Sequence, residues 1–178
     1  FLARQFENEA NPAYHRNTTG PEILRDFAGK RLDYFVSGWG TGGTITGTGE
    51  AIKMARSDTK IIAAEPENAA MLLGNEWSPH KIQGWTPDFI PEVLNKDIAD
   101  EIVPVSDDAS IANTLRLASE EGIFVGVSAG ATLTAALTVA ENAPEKSTFL
   151  VMLPDTGERY LSTPLFAGIS EESDEDSL

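Results

Sequence analysis

The chain has 178 residues, of which 41% are hydrophobic, a share typical of a folded protein rather than a disordered one. Since the formal net charge is −15 and cysteine is absent, the composition argues against nucleic-acid binding and excludes disulfides, thiolate metal sites and cysteine nucleophiles. With no bilayer-spanning run and no signal peptide in the sequence, we predict a cytoplasmic protein with no membrane partner and no metal.

The N-terminal region predicts a crossing segment followed by a helix. Residues 1–15 begin without Met in an amphipathic stretch, so we expect them to continue from a preceding domain. Asn11 and Pro12 predict a loop. A helix is then expected to begin with Thr19 as its cap and to end at Gly29.

Short apolar runs and helical patterns alternate along the rest of the chain. This alternation predicts an α/β fold with a parallel twisted sheet flanked by helices. The predicted sheet has too few strands for the number of helices around it, so we expect further strands outside the chain. The runs lie at 34–36, 61–64, 102–105 and 149–153, and the helical patterns at 44–56, 107–121 and 129–141.

Three regions follow from this pattern. Residues 1–15 form the crossing segment, residues 16–168 form the α/β domain, and residues 169–178 form an acidic tail that we expect to be disordered. Within the domain, residues 66–100 are rich in Pro, Gly, Asn and Trp. A loop of this length in a compact domain usually has a function.

A glycine-rich loop between the first strand and the next helix carries the strongest functional signal. Strand, glycine loop and helix together direct backbone N–H groups and a helix N-terminus at one point. Threonine hydroxyls in the same loop add further donors, so the sequence predicts a phosphate site. Its residues are Gly40, Thr41, Gly42, Gly43 and Thr44.

The same loop also satisfies a dinucleotide-binding fingerprint. Gly38, Gly40 and Gly43 match G-x-G-x-x-G, and Glu65 lies 22 residues beyond the last of them, where a ribose ligand would be expected. The alternative stays open, although Pro66 restricts the backbone next to that carboxylate. The extra hydroxyls suit a terminal phosphate better than a bridging pyrophosphate.

Two further points of the chain lie at predicted strand ends. Ser128 stands between Gly126 and Gly130, where it is expected either to cap a helix or to face a ligand. Pro154 and Asp155 follow the last predicted strand. Because ligands of parallel sheets bind beyond the carboxyl ends of the strands, we expect these residues to meet the glycine loop in one crevice.

These motifs together resemble the cysteine synthase (O-acetylserine sulfhydrylase) family, which are pyridoxal-phosphate enzymes of fold type II, the tryptophan-synthase-β group. The matching strings occur in order over nearly the whole chain, and they correspond to the C-terminal half of a family member. They lie at residues 5–8, 11–12, 18–23, 40–44, 80–84, 126–130 and 157–163.

The resemblance implies a cofactor and the residues that hold it. Pyridoxal 5′-phosphate would place its phosphate on the loop at 40–44 and its pyridine nitrogen on Ser128, with Pro154 and Asp155 also at the cofactor. A neutral hydroxyl does not enforce a protonated ring, so electron withdrawal would be moderate and would favour β-elimination followed by addition of sulfide.

The resemblance also implies substrates and partners. Gln5 would meet the substrate carboxylate, and Gly84 would lie on a loop that closes over it. The reaction implied is formation of L-cysteine from O-acetyl-L-serine and sulfide, in a homodimer to which serine acetyltransferase can bind. Cystathionine β-synthase and S-sulfocysteine synthase are the alternatives within the family.

No catalytic residue is predicted in this chain. The Schiff-base lysine of the family lies in its N-terminal half, and we expect the 178 residues alone to be inactive. Two departures from the family pattern, Trp39 and residues 85–89, would alter the preference for nucleophile or partner. The lysines, none in the expected context, are Lys30, Lys53, Lys60, Lys81, Lys96 and Lys146.

Overall fold

A computed structural model describes residues 1–167 of the chain. The expected acidic tail at 169–178 lies outside the described residues. The described part confirms the α/β prediction, because four parallel strands form one sheet in the order β3-β2-β1-β4 with helices around it. The strands are β1 (Tyr34–Gly38), β2 (Lys60–Pro66), β3 (Glu101–Val105) and β4 (Phe149–Val151).

Strand β1 lies inside the sheet and is buried on both faces. Val36 is in register with Ile62 of β2 and with Val151 of β4. Successive side chains of a strand point to opposite faces, and both Phe35 and Val36 are fully buried. Helices therefore have to cover both faces, as parallel sheets require.

Within residues 1–167, five α-helices are divided between the two faces. On one face α3 packs against β1 and is itself covered by α1 and α2, whereas on the other face α5 packs across all four strands and is covered by α4. The helices are α1 (Ala10–Asn17), α2 (Thr19–Asp26), α3 (Gly43–Ala55), α4 (Asp107–Glu121) and α5 (Val127–Ala140). None of those in the described part of the chain is both long and apolar enough to span a bilayer.

Helix α4 has the two ends that the sequence predicted. The Ser106 side chain accepts a hydrogen bond from the backbone N–H of Ala109 at 3.2 Å, which caps the first turn. Gly122 ends the helix with a φ of +69°, in the left-handed region that glycine adopts at little cost.

The loop predicted at Asn11 and Pro12 is wrong, because both residues lie in the first turn of α1. The first N–H groups of a helix have no partner inside it, so proline costs no hydrogen bond there. Thr19 is likewise the first residue of α2, and Thr18 is the cap position. The Thr18 hydroxyl donates to the Tyr14 carbonyl at 2.8 Å and therefore belongs to the end of α1.

Ser128 is not the cap of α5. The helix begins one residue earlier, at Val127, and Gly126 occupies the cap position without a side-chain hydrogen bond. The Ser128 hydroxyl is therefore free to make a contact outside the helix.

The long excursion at 66–100 contains a single 3₁₀ turn, Glu67–Ala69, and is otherwise irregular. It folds back over the carboxyl end of β1, where the backbone N–H of Thr86 donates to the carbonyl of Trp39 at 3.0 Å. The segment at 66–100, for which the sequence predicted a function, thus covers the carboxyl end of the sheet.

Candidate active site

A cavity of about 420 Å³ opens beyond the carboxyl ends of β1 and β4. Eight of the ten predicted site residues line it, namely Gln5, Gly40, Thr41, Thr44, Gly84, Ser128, Pro154 and Asp155. Gly42 and Gly43 complete the loop next to it. Gly38, named for the dinucleotide fingerprint, and Trp85, named as a departure from the family pattern, also line the cavity. The sequence reasoning missed the remaining lining residues, Ser37, Gln83, Thr132, Met152 and Tyr160.

The glycine loop forms one wall and leads directly into α3. Gly42 has a φ of +86°, and the backbone N–H of Gly43 donates to the Thr41 hydroxyl at 3.3 Å. A Cβ added to Gly40 would stand 2.2 Å from the carbonyl oxygen of Gly84, so no side chain fits there. The start of α3 offers unpaired N–H groups, and the loop adds two threonine hydroxyls and a backbone without bulky side chains. These features fit a phosphate group.

Helix α1 supports this loop from behind. The Asn11 amide donates to the Thr41 hydroxyl at 2.9 Å and to the carbonyl of Gln5 at 2.9 Å. A Cβ on Gly43 would lie 1.9 Å from the Asn11 side-chain oxygen. One side chain therefore joins the glycine loop to the turn at Gln5.

His15, also on α1, bridges to the loop through two threonines. Its Nε2 lies 3.2 Å from the Thr44 hydroxyl, and its Nδ1 lies 2.9 Å from the Thr19 hydroxyl. Burial lowers the pKa of His15, so the imidazole is neutral at pH 7 and offers one donor and one acceptor. No local pattern announces this contact, because 29 residues separate His15 from Thr44.

Ser128, Asp155 and Tyr160 form a hydrogen-bonded group on the opposite wall. The Ser128 hydroxyl donates to one oxygen of the Asp155 carboxylate at 3.3 Å, and the Tyr160 hydroxyl donates to the other. Burial, together with the hydrogen bond to Asp155, raises the pKa of Tyr160 to about 12. The sequence had placed Ser128 and Asp155 at the crevice but had not predicted that they contact each other.

The excursion at 66–100 forms the roof of the cavity. Gly84 has a φ of +83°, and Trp85 packs so closely on Gly38 that a Cβ there would lie 1.9 Å from the indole ring. The Trp77 indole N–H donates to the carbonyl of Thr86 at 2.9 Å, which fixes the end of this turn. The roof is therefore a packed aromatic turn rather than a glycine-rich one.

Glu65 takes no part in the cavity. Its carboxylate is fully buried and accepts hydrogen bonds from the backbone N–H groups of Leu72 at 3.1 Å and Leu73 at 3.3 Å. Burial raises the pKa of Glu65, and the hydrogen bonds from the backbone N–H groups of Leu72 and Leu73 oppose that rise. A carboxylate committed in this way cannot bind a ribose, so the structure argues against the dinucleotide alternative.

Among residues 1–167 no lysine lines the cavity. Lys53 and Lys60 pair with Asp100 at 2.7 and 3.5 Å, and Lys81 pairs with Asp108 at 3.6 Å. In the same part of the chain, no group of three or more His, Asp or Glu side chains is arranged to hold a metal ion.

Comparison with known proteins agrees with this geometry. A family model described as "Pyridoxal-phosphate dependent enzyme" matches residues 1–155. An O-ureido-L-serine synthase of Streptomyces lavendulae is 57% identical over 98% of the chain, and a cysteine synthase of Staphylococcus aureus is 46% identical over 94%. The chain spans 54% of the length of each of these relatives.

Solved structures show the same likeness. A structure of O-ureido-L-serine synthase with O-ureido-L-serine bound matches 99% of the chain with a TM-score of 0.95 at 57% identity, and the chain covers 55% of it. A cysteine synthase from Entamoeba histolytica matches 96% of the chain with a TM-score of 0.88 at 40% identity, and the chain covers 50% of it.

Proposed function

Because this chain belongs to the pyridoxal-phosphate dependent enzyme family, whose members use pyridoxal 5′-phosphate, we propose that its glycine loop holds the phosphate of that cofactor. The start of α3 at this loop and the hydroxyls of Thr41 and Thr44 at the cavity support the proposal, since a helix N-terminus and hydroxyl groups supply donors that a phosphate accepts from. The residues that would hold the phosphate are Gly40, Thr41, Gly42, Gly43 and Thr44.

The bound cofactor draws electrons from the α-carbon of an amino acid and so makes loss of a group from the β-carbon possible. The chain supplies the environment for that chemistry. Ser128 and Asp155 would face the pyridine ring beside Pro154, and Gln5 would meet the carboxylate of the amino acid. The packed turn at Gly84 and Trp85 would exclude water from the reacting atoms.

For the protein that carries this chain we propose β-replacement on an O-acylated L-serine. In the reaction the bond from Cβ to the acyl oxygen breaks, the carboxylate leaves, and a nucleophile forms the new bond to Cβ as it loses a proton. The sequence analysis expected sulfide as that nucleophile and L-cysteine as the product. Cysteine synthases at 46% identity support this reaction.

A second nucleophile is supported by the greater identity of 57% to an O-ureido-L-serine synthase. The product in that name carries a ureido group on the serine oxygen, so hydroxyurea attacking through its oxygen would form it. Because this likeness also extends to a TM-score of 0.95, we place hydroxyurea first among the nucleophiles to be tested.

The test is a product assay with the protein that carries this chain, loaded with the cofactor and supplied with O-acetyl-L-serine. Separate reactions contain hydroxyurea, sulfide, homocysteine or thiosulfate, and mass spectrometry identifies the amino acid that is formed. We expect acetate release with each active nucleophile and the highest kcat/KM with hydroxyurea. Failure to bind the cofactor, or no acetate release with any nucleophile, would contradict β-replacement, and a higher kcat/KM with sulfide would reassign the protein as a cysteine synthase.

The partners implied by the resemblance remain predictions. We propose that the protein forms a homodimer and binds serine acetyltransferase, and that it acts in the cytoplasm. Sedimentation of the protein alone and with an added acetyltransferase would measure both associations.

A further inference from the structure

The turn at 84–86 lies directly on the residues that precede the glycine loop. Trp85 packs its indole on Gly38, the last residue of β1, where an added Cβ would lie 1.9 Å from the ring. One residue further, the backbone N–H of Thr86 donates to the carbonyl of Trp39 at 3.0 Å. The turn and the carboxyl end of β1 therefore form one packed unit.

The indole of Trp85 is also held by the hydrophobic core. Trp85 is 9% exposed and belongs to a buried cluster that includes Val36 of β1, Val127 of α5 and Ile82. Protein interiors are close-packed, so a side chain embedded in one cannot move without displacing its neighbours. Because Trp85 also lines the cavity, the part of its ring that reaches the cavity is a rigid wall.

The backbone that follows Trp85 is fixed in an unfavourable conformation. Thr86 is 1% exposed and has a φ of +37°, in the left-handed region that a β-branched residue rarely adopts. Such a conformation persists only where the surrounding contacts hold it. The carbonyl of Thr86 accepts from the Trp77 indole N–H at 2.9 Å and lies 3.3 Å from Nε2 of His80. These contacts hold the turn, and with it the indole of Trp85, at the cavity.

The roof of the cavity is the side that a nucleophile would meet. Within the proposed function, the loop at 40–44 takes the cofactor phosphate, the wall at Ser128 faces the pyridine ring, and Gln5 meets the carboxylate of the amino acid. Of the cavity walls that residues 1–167 supply, the roof then remains to face the incoming nucleophile. The large, immobile ring of Trp85 leaves less room on this side than a small side chain would.

We propose that Trp85 is a specificity-determining residue that limits the size of the nucleophile. Small nucleophiles such as sulfide and hydroxyurea fit beside the indole, whereas a thiol that carries its own amino-acid group, such as homocysteine, clashes with it. Discrimination of this kind comes from a clash with the larger molecule and not from a new attraction to the smaller one. The inference rests on the proposed function and deepens it, and it narrows the expectation for residues 85–89 to one side chain.

The test compares nucleophiles of different size. The protein that carries this chain is loaded with pyridoxal phosphate and supplied with O-acetyl-L-serine, and kcat/KM is measured with sulfide, hydroxyurea and homocysteine. With homocysteine, the thiol sulfur would form the bond to Cβ and lose its proton as acetate leaves, and mass spectrometry detects the thioether product. We expect the unaltered protein to favour the small nucleophiles. Trp85→Ala should raise the ratio of kcat/KM for homocysteine to that for the better small nucleophile by about tenfold or more.

Leu73→Ala is the matched control. It removes an exposed apolar side chain from the same excursion, and Leu73 does not line the cavity, so the ratio should stay as in the unaltered protein. A merely structural role for Trp85 would lower kcat/KM for all three nucleophiles in proportion and leave the ratio unchanged. An unchanged ratio in Trp85→Ala would overturn the proposal, and so would an unaltered protein that uses homocysteine as well as it uses the small nucleophiles.

The two proposals fail in different ways. If the unaltered protein releases acetate with no nucleophile, the proposed function fails, and this inference fails with it. If the small nucleophiles react and the ratio is the same in all variants, only the inference about Trp85 is wrong. Should Trp85→Ala not fold, Trp85→Leu decides the question, because leucine fills part of the space of the indole and should raise the ratio by a smaller factor.

Discussion

The side-chain amide of Asn11 donates at 2.9 Å to the hydroxyl of Thr41, which lies 30 residues further along the chain. This bond joins helix α1 to the glycine loop before α3. It means that the loop's shape depends on a helix outside the strand–loop–helix unit, and this dependence can be measured.

We expect Asn11→Ala to weaken cofactor binding about tenfold, which corresponds to about 1.4 kcal/mol, because the loop loses its clamp. The free energy of unfolding should fall by about 1–3 kcal/mol, since Thr41 and the Gln5 carbonyl each lose a partner. Fluorescence titration with pyridoxal phosphate and urea unfolding measure the two effects. Asn142→Ala, at an exposed position, should change stability by less than about 0.5 kcal/mol; equal losses in both variants would contradict the clamp.

Gly40→Ala should abolish binding of the cofactor phosphate. The new methyl group would meet the carbonyl oxygen of Gly84 at 2.2 Å, so the loop or the roof has to move. Equilibrium dialysis with pyridoxal phosphate measures the loss. Gly122→Asn is the control, because nothing lies within 4 Å of that glycine and asparagine tolerates its φ of +69°. Unchanged affinity in Gly40→Ala would show that the phosphate binds elsewhere.

His15 should make stability sensitive to mild acid. Burial lowers the pKa of His15 below its usual 6.5, so the unfolded chain takes up a proton more readily than the folded one. The contribution of His15 is therefore fully present above pH 6.5 and is lost as the pH falls toward the folded pKa. His15→Gln keeps a donor and an acceptor without titrating, and it should flatten the profile of Tm between pH 7 and 5. An unchanged profile would show that another group causes the acid sensitivity.

Glu65 should lower stability as the pH rises, which is opposite to the pH dependence expected from His15. Burial raises the pKa of Glu65 above its usual 4.5, so its contribution to stability is fully present below pH 4.5 and is lost as the pH rises through the folded pKa. Glu65→Gln should remove this loss, and the Tm difference between the variant and the parent should shift in favour of the variant as the pH rises from 4 to 7. Glu67→Gln, at an exposed neighbour, should leave the profile as it is; a matching change there would argue against burial as the cause.

Local patterns predicted the elements whose signals lie close together in sequence. The four strands are apolar runs between turns, and α4 has a capping serine and a terminal glycine within its own span. The glycine loop was found in the same way. Pro12 misled the prediction because proline is a loop signal in general but is tolerated in the first turn of a helix.

Contacts between distant segments could not be predicted from such patterns. A helix cap was one of the two roles open to Ser128, because serine commonly fills it, whereas the structure brings its hydroxyl to Asp155, 27 residues away. Glu65 stood at the spacing of a ribose ligand, yet the fold turns its carboxylate toward the backbone of Leu72 and Leu73. The spacing of residues along the chain does not show which way a side chain points in the folded protein.

The order and chemistry of the residues alone were enough to indicate a parallel α/β sheet, an oxyanion site on the loop at 40–44 and the enzyme family. The sheet and the predicted oxyanion site follow from local periodicity, glycine placement and helix ends, which act over a few residues, whereas the family was indicated by the resemblance of the motifs. Tertiary packing decided which polar groups meet at the cavity, because α1, the excursion over β1 and the segment after β4 come together only when the sheet forms. The hydrogen-bond partners of Ser128, Thr41 and Thr44 are Asp155, Asn11 and His15, each at least 27 residues away along the chain.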